Sequence, residues 1–278
     1  MYSFLRFPGF KKRALTLSYD DGVIFDKRLI EILNANGIKA TFNINSLCFG
    51  SGRRMSVEDA VALYKNSVHE VAIHGEQHFS LDELPDTLIV QDVRNDRIAL
   101  EKLFGGVIRG MAYANGSCSE RVGNVLRTCG VVYSRTTKST EAFTIPEDFI
   151  FWHPTAHHKN PRLNELLDAF LDDTPARHHF HDRPRLFYLW GHSYEFNDND
   201  NWEIIEEFAK RAGGRDNVWY ATNIEIYDYV QAYNSLVYSA DGTSIYNPSA
   251  IDVYTNYFGC EVMIPAGKTV EGLSVIKR

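Results

Sequence analysis

The chain has 278 residues and a formal net charge of −7, with ordinary apolar and charged fractions. That length suits one sizeable domain, with or without a small appendage, and the acidic balance argues against a nucleic-acid or anionic-membrane partner. No apolar run approaches the ~20 residues that span a bilayer, so no membrane partner is expected.

In chain order, the N-terminus from Met1 to Arg13 breaks its apolar residues with Arg6, Pro8 and Gly9. It lacks the continuous apolar core of a secretory signal. A cytoplasmic location is the expectation, or an extracytoplasmic one if the sequence is a trimmed form. β-rich runs then stand at residues 14–18, 40–45, 70–73, 107–113, 131–134, 149–153, 186–191 and 218–222. Helical patterns fall between them at residues 26–36, 57–64, 88–104, 120–129, 163–171, 202–212 and 224–233. The first carries Leu29, Ile30, Ile32 and Leu33 and is stopped by Gly37. Repeated strand-then-helix order implies a parallel sheet with right-handed crossovers, and about eight such strands suggest a (β/α) barrel. After Leu236 the helical period is lost. Residues 237–278 are rich in Tyr, Ser, Thr, Val and Ile between turn dipeptides and predict a small β appendage of three or four strands. Residues 1–236 then form the barrel. Cys48, Cys118, Cys129 and Cys260 make no C-x-x-C pair and read as reduced and mostly structural.

Two clusters carry chemistry. Ser18-Tyr19-Asp20-Asp21-Gly22 ends an apolar β-rich run, and His74-Gly75-Glu76-Gln77-His78 follows another. One carboxylate and two imidazoles suit a divalent metal, which leaves the second carboxylate free as a base on water. At a strand end, alternation of side chains separates the two aspartates. Barrel chemistry sits at the C-terminal ends of strands, and Asp20, Asp21, His74, Tyr113, Arg135, His153 and His192 all fall there. The pattern is neither H-E-x-x-H nor H-x-x-E-H, because Gly75 and Gln77 occupy the glutamate positions.

These residues resemble the NodB-type polysaccharide deacetylases, carbohydrate esterase family 4. Ser18 to Gly22 is similar to the T/S-F/Y-D-D-G motif, His74 to His78 to H-S/T-x-x-H with Gly75 in place of Ser or Thr, and Leu189-Trp190-Gly191-His192 to the late L-x-x-H motif. The resemblance implies a distorted (β/α) barrel of seven or eight strands. It also implies a hydrolase that removes an N-acetyl group from a sugar. Asp21, His74 and His78 would hold one divalent ion, zinc by preference, with cobalt, nickel or iron as alternatives. Asp20 would be the base and His192 the acid. Glu195 would orient His192 or meet sugar hydroxyls.

The third family motif, R-x-P-Y-G-like, is where the resemblance weakens. Aligned on Gly116, Ala112 stands where its arginine belongs and Arg109 lies three residues too early. Arg135, ending the next strand, is the expected replacement beside Asp20, since a guanidinium fork grips a carboxylate without losing charge. Tyr113 would lend a backbone donor to the oxyanion, and Trp152 with His153 a sugar-stacking wall. The stretch Arg177-His178-His179-Phe180-His181 has no ligand spacing and reads as a solvated segment. Two alternatives stand beside the deacetylase: a hydrolase of a non-sugar amide or cyclic ureide, and a carbohydrate-binding pseudoenzyme. A third, remote, is a two-histidine, one-carboxylate iron oxygenase. A short saccharide is expected over insoluble polymer, with the appendage walling one end of the cleft.

Overall fold

The structure is a computed structural model that describes residues 3–174 and 183–275. The Arg177 to His181 stretch lies outside them. The strands are β1 (Ser3–Arg6), β2 (Arg13–Asp20), β3 (Thr41–Ile44), β4 (Glu70–Ile73), β5 (Gly110–Ala112), β6 (Tyr133–Arg135), β7 (Ala156–His157), β8 (Arg185–Gly191) and β9 (Val218–Tyr220). Then come β10 (Val237–Tyr238), β11 (Ile245–Tyr246), β12 (Val253–Tyr257), β13 (Cys260–Ile264) and β14 (Thr269–Val270). The helices are α1 (Asp26–Ala35), α2 (Val57–Tyr64), α3 (Asp86–Phe104), α4 (Glu120–Thr128), α5 (Leu163–Leu171), α6 (Ser193–Asp198), α7 (Glu203–Ala212) and α8 (Asn223–Asn234).

A curled parallel sheet runs β6-β5-β4-β3-β2-β8-β7, with β9 alongside the first half of β2. Its ends meet through residues 152–157. Trp152 N–H donates to the Ser134 carbonyl at 3.0 Å, Thr136 N–H to Trp152 at 3.0 Å, and Thr155 N–H to Tyr188 at 2.9 Å. This is the distorted barrel that the strand–helix alternation predicts. All eight residues of β2 are buried, as a parallel strand covered on both faces requires. Leu15, Leu17 and Tyr19 face the helices, where Leu29, Ile30 and Leu33 of α1 join the main core. Each such buried Leu or Ile contributes roughly 1.5–3 kcal/mol. Ala14, Thr16, Ser18 and Asp20 alternate with them and face inward: Thr16 bonds Asn223 at 2.8 Å, and Asn43 Nδ2 donates to Ser18 Oγ and to Asp20 Oδ1, both at 2.8 Å.

Two departures matter for the site. The predicted strand at 149–153 is instead a single tight turn over Phe149–Phe151, because the Asp148 carboxylate accepts the Ile150 N–H at 2.9 Å and caps it. The strand role passes to β7. The short helix α6, directly after His192, has too few residues to show a hydrophobic period.

The segment after Leu236 holds five short strands in two antiparallel sheets, β10-β11-β14 and β1-β12-β13, so the N-terminal strand joins it. It packs on α8 and β1. Tyr229 OH donates to Arg6 O at 2.5 Å and accepts the Tyr254 N–H at 2.9 Å, and the Phe10 ring meets Tyr254 edge-on at 4.9 Å. These contacts lie at the N-terminal ends of the barrel strands, where Asn223 N–H donates to Thr41 Oγ1 and Ile224 N–H to Glu70. The chemistry is at the opposite ends. The expectation that the appendage walls the cleft is therefore corrected.

Candidate metal centre and acid–base site

Asp20 is the last residue of β2 and its side chain turns into the barrel mouth. Asp21 follows with φ +82°, a left-handed conformation that a non-glycine residue adopts only under constraint. Strand alternation would have sent Asp21 outward; the left-handed backbone swings it back. Both carboxylates therefore face one imidazole: Asp20 Oδ2 lies 3.8 Å and Asp21 Oδ1 4.0 Å from His74 Nε2. This corrects the separation by alternation expected from sequence.

His74 is 1 % exposed and its Nδ1 lies 2.9 Å from the Ala112 carbonyl. That contact puts a proton on Nδ1 and leaves the Nε2 lone pair toward the carboxylates, as a ligating imidazole requires. His78 reaches the same oxygen, Nε2 to Asp21 Oδ1 at 3.5 Å, from a left-handed φ of +60°. Between them Gly75 has φ +81°, and a Cβ there would come within 2.6 Å of Asp92 Oδ2. Ser or Thr at this position would clash, which explains the glycine. The ligand atoms of Asp21, His74 and His78 all lie within 4.8 Å of one another. Two nitrogens and a carboxylate oxygen fit a borderline divalent cation. Arg54 Nη2, 3.1 Å from Asp21 Oδ1, is a neighbour that sequence reading did not place here.

Arg135, with no exposed surface, hydrogen-bonds Asp20 Oδ2 through Nη2, and its guanidinium lies 4.3 Å over the Trp190 ring. Arg109 is elsewhere, forked onto Asp228 at 3.1 and 2.7 Å. Burial pushes the Asp20 carboxyl up, but Arg135, His74, His192 and the Asn43 amide outweigh it and hold it below the usual carboxylate range. Arg135→Gln removes the nearest of these charges, so Asp20 will protonate at higher pH. The acid limb of the kcat/KM profile is expected to move upward in pH; an unmoved limb would separate Arg135 from Asp20 ionisation.

His192 is set by β8 and by Ser193, whose Oγ donates to the buried Asp26 of α1 at 2.5 Å. Its Nε2 faces Asp20 Oδ2 at 3.8 Å and its Nδ1 faces Glu195 Oε2 at 3.4 Å. Burial lowers its pKa, but Glu195, Asp20 and Asp21 overcome that and raise it. Glu195 is itself gripped by Lys159 Nζ at 2.8 Å, His157 Nε2 at 3.1 Å and His158 Nε2 at 3.2 Å. His157, His158 and Glu195 lie close enough to suggest a second ion. However, His157 Nδ1 accepts the Lys159 N–H at 3.1 Å, which places the ring proton on Nε2 where a metal needs a lone pair. An ammonium already neutralises the carboxylate. The cluster is a clamp on Glu195.

Two expected site residues take other roles. Tyr113 N–H donates to Arg135 O at 3.0 Å, so that donor is spent and does not serve an oxyanion. Trp152 is 1 % exposed and packs against Tyr133, Phe149 and Tyr188 as barrel filling. It offers no face for a sugar. The aromatic beside the acid is Tyr194, half-buried, with its ring 5.0 Å from His192. Burial, then Asp21, Glu195 and Asp20, push its hydroxyl up to about 12, so it stays a neutral donor. His153 Nδ1 pairs with Thr136 Oγ1 at 2.6 Å.

Residues 8–134 match the family model described as polysaccharide deacetylase. The fold is similar to that of a candidate polysaccharide deacetylase from Mycobacterium smegmatis, at 16% identity over 83% of this chain and 94% of that chain, with a TM-score of 0.62. Weaker likenesses are to a family 4 acetyl xylan esterase from Clostridium thermocellum in complex with a cobalt ion (15% identity, 77% and 90% covered, TM-score 0.48) and to a carbohydrate esterase family 4 pseudoenzyme from Bacillus anthracis (17%, 81% and 68%, TM-score 0.49). No curated protein matches the chain.

Proposed function

We propose, from the match of residues 8–134 to the polysaccharide deacetylase family model, that the chain is a metal-dependent hydrolase that removes an N-acetyl group from an N-acetylated sugar or short saccharide. One observation carries the reading. Asp20 and Asp21 meet His74 at 3.8 and 4.0 Å, while Asp20 meets His192 at 3.8 Å. A carbohydrate-binding surface has no need of a base, an acid and a ligand triad held so closely together.

Asp21, His74 and His78 would hold the cation, with zinc the first choice. When bound, such a cation lowers the pKa of water and polarises a carbonyl. Asp20, kept ionised by Arg135, takes the proton from the attacking water. His192, kept protonated by Glu195, gives its Nε2 proton to the departing sugar amine. Glu195, immobilised by Lys159, His157 and His158, orients the ring. Tyr194 stands where a sugar hydroxyl or ring face would pass.

The test is acetate release by the zinc-loaded chain from N-acetylglucosamine oligomers of increasing length, from chitin and peptidoglycan, and formation of the ring-opened acid from a cyclic ureide. Acetate from the short oligomers is expected. Ring opening without acetate would favour the non-sugar amide reading, and binding of oligomers without turnover the pseudoenzyme reading.

A further inference from the structure

The turn that carries both histidines is held from behind by side chains that the acid–base reading does not use. Helix α3 lays Asp92, Asn95 and Asp96 against the loops that follow β3 and β4. Asp96, with no exposed surface, accepts the Ser46 N–H through Oδ1 at 2.7 Å and the His74 N–H through Oδ2 at 3.0 Å. Asp92 is 4 % exposed and accepts the Gln77 N–H through Oδ1 at 3.1 Å. Its Oδ2 is buried without a partner and lies against Gly75. Asn95 Nδ2 donates to Glu76 Oε2 at 3.0 Å. From the other side Asn45 Nδ2 donates to the carbonyls of both His74 and Gly75, each at 2.8 Å.

A helix packed on a parallel sheet buries apolar residues; two buried carboxylates one turn apart cost desolvation and mutual repulsion. The core does not call for them. What they do is accept the N–H groups of Ser46, His74 and Gln77 at a place where Gly75 and His78 are both left-handed. Without those acceptors the N–H groups of Ser46 and Gln77 would be left unpaired and that of His74 would keep only the Ile44 carbonyl at 3.1 Å, and the turn would relax.

We propose that Asp92 and Asp96 are positioning residues of the metal centre: Asp96 ties His74 to the loop after β3, and Asp92 braces the turn between His74 and His78. This rests on the reading of Asp21, His74 and His78 as a metal site. Partners of ligating residues typically carry about 10–100-fold in metal affinity.

The experiment is zinc affinity by competition with a chromophoric chelator, on the full chain, for the parent, Asp92→Ala, Asp96→Asn and Glu70→Gln. Glu70 begins the strand that ends before His74, and its carboxylate is as fully engaged, by Tyr133 OH at 2.7 Å, Thr41 Oγ1 at 2.8 Å and Ile224 N–H at 2.9 Å. It controls for loss of a buried carboxylate that is remote from the centre. Both aspartate variants are expected to weaken zinc binding by about 10-fold or more while folded, and Glu70→Gln to lower the melting temperature with zinc affinity within about twofold of the parent. Folded aspartate variants that bind like the parent, or a Glu70→Gln loss of equal size, would overturn the proposal. If Asp96→Asn does not fold, Asp92→Ala decides, since it removes the acceptor of the Gln77 N–H. A parent chain that takes up no zinc would instead defeat the metal reading on which the proposal stands.

Discussion

His74→Ala together with His78→Ala is expected to reduce divalent metal uptake from about one ion per chain to none, with turnover falling to background. The two imidazoles are two of three protein ligands, and Asp21 alone would hold a cation no better than an isolated carboxylate. The variant should remain folded. His78 is partly exposed, and outside the site the His74 ring makes a polar contact to the Ala112 carbonyl. Metal analysis of the parent and the double variant after dialysis, with circular dichroism as the control for folding, reads the result. Equal metal content in a folded double variant would remove the centre from this site. The pH course has a definite sign. Ligating nitrogens must be unprotonated, so uptake falls as pH falls. Burial, although opposed by Asp20 and Asp21, lowers the His74 pKa and keeps its lone pair available below the pH at which a solvated histidine would charge.

What the sequence made legible were features with a local signal. The apolar, β-rich run at residues 14–18 marked β2, and the positions just past each β-rich run held most of the site. What it hid were features set by backbone sign or by distance along the chain. The left-handed φ of Asp21 is invisible in the residues, although it alone brings both carboxylates to His74. Nothing local distinguishes Trp152 in a polar loop from Trp152 filling a barrel. Its burial depends on Tyr133 and Tyr188, which come from other strands. The choice of Arg135 over Arg109 depended on which strand ends at the mouth, and Arg109 is taken by Asp228 of α8, 119 residues away. Nothing in the helical pattern at residues 88–104 singles out the α3 carboxylates. An i,i+4 pair of aspartates on the side of Ile89, Val93 and Leu100 was the available signal, since buried like charges rarely sit on a core-facing turn without a task.

Asp20→Asn is expected to retain the metal and to lose ~10²–10⁴-fold in kcat, or roughly 3–5 kcal/mol of barrier lowering. Asparagine keeps one of the two acceptor oxygens, which serve Arg135 and the Asn43 amide, but cannot take a proton from water. The substitution also leaves the Arg135 guanidinium buried without a counter-charge, because its other partners among the described residues are the Thr136 carbonyl and the Trp190 face. Removing one member of a buried pair costs about 3–5 kcal/mol of stability. A loss of activity could therefore be confused with a loss of fold, and the double variant Asp20→Asn with Arg135→Gln separates the two. It restores part of the melting temperature, since no unpaired charge remains, and restores none of the turnover. Recovery of turnover with stability would mean that Asp20 serves the fold and that the base is another group. The two variants also differ from a ligand variant in metal content, which stays near one ion per chain while Asp21, His74 and His78 are intact. On the alkaline side, activity should fall as His192 loses its proton, at a pH above the ordinary histidine value of 6.5 because Glu195, Asp20 and Asp21 raise it against burial. Asp20→Asn withdraws one of those charges, so whatever activity survives should lose its alkaline limb at lower pH than the parent. An alkaline limb that stays in place would show that His192 does not sense Asp20, and the acid–base pair would have to be assigned anew.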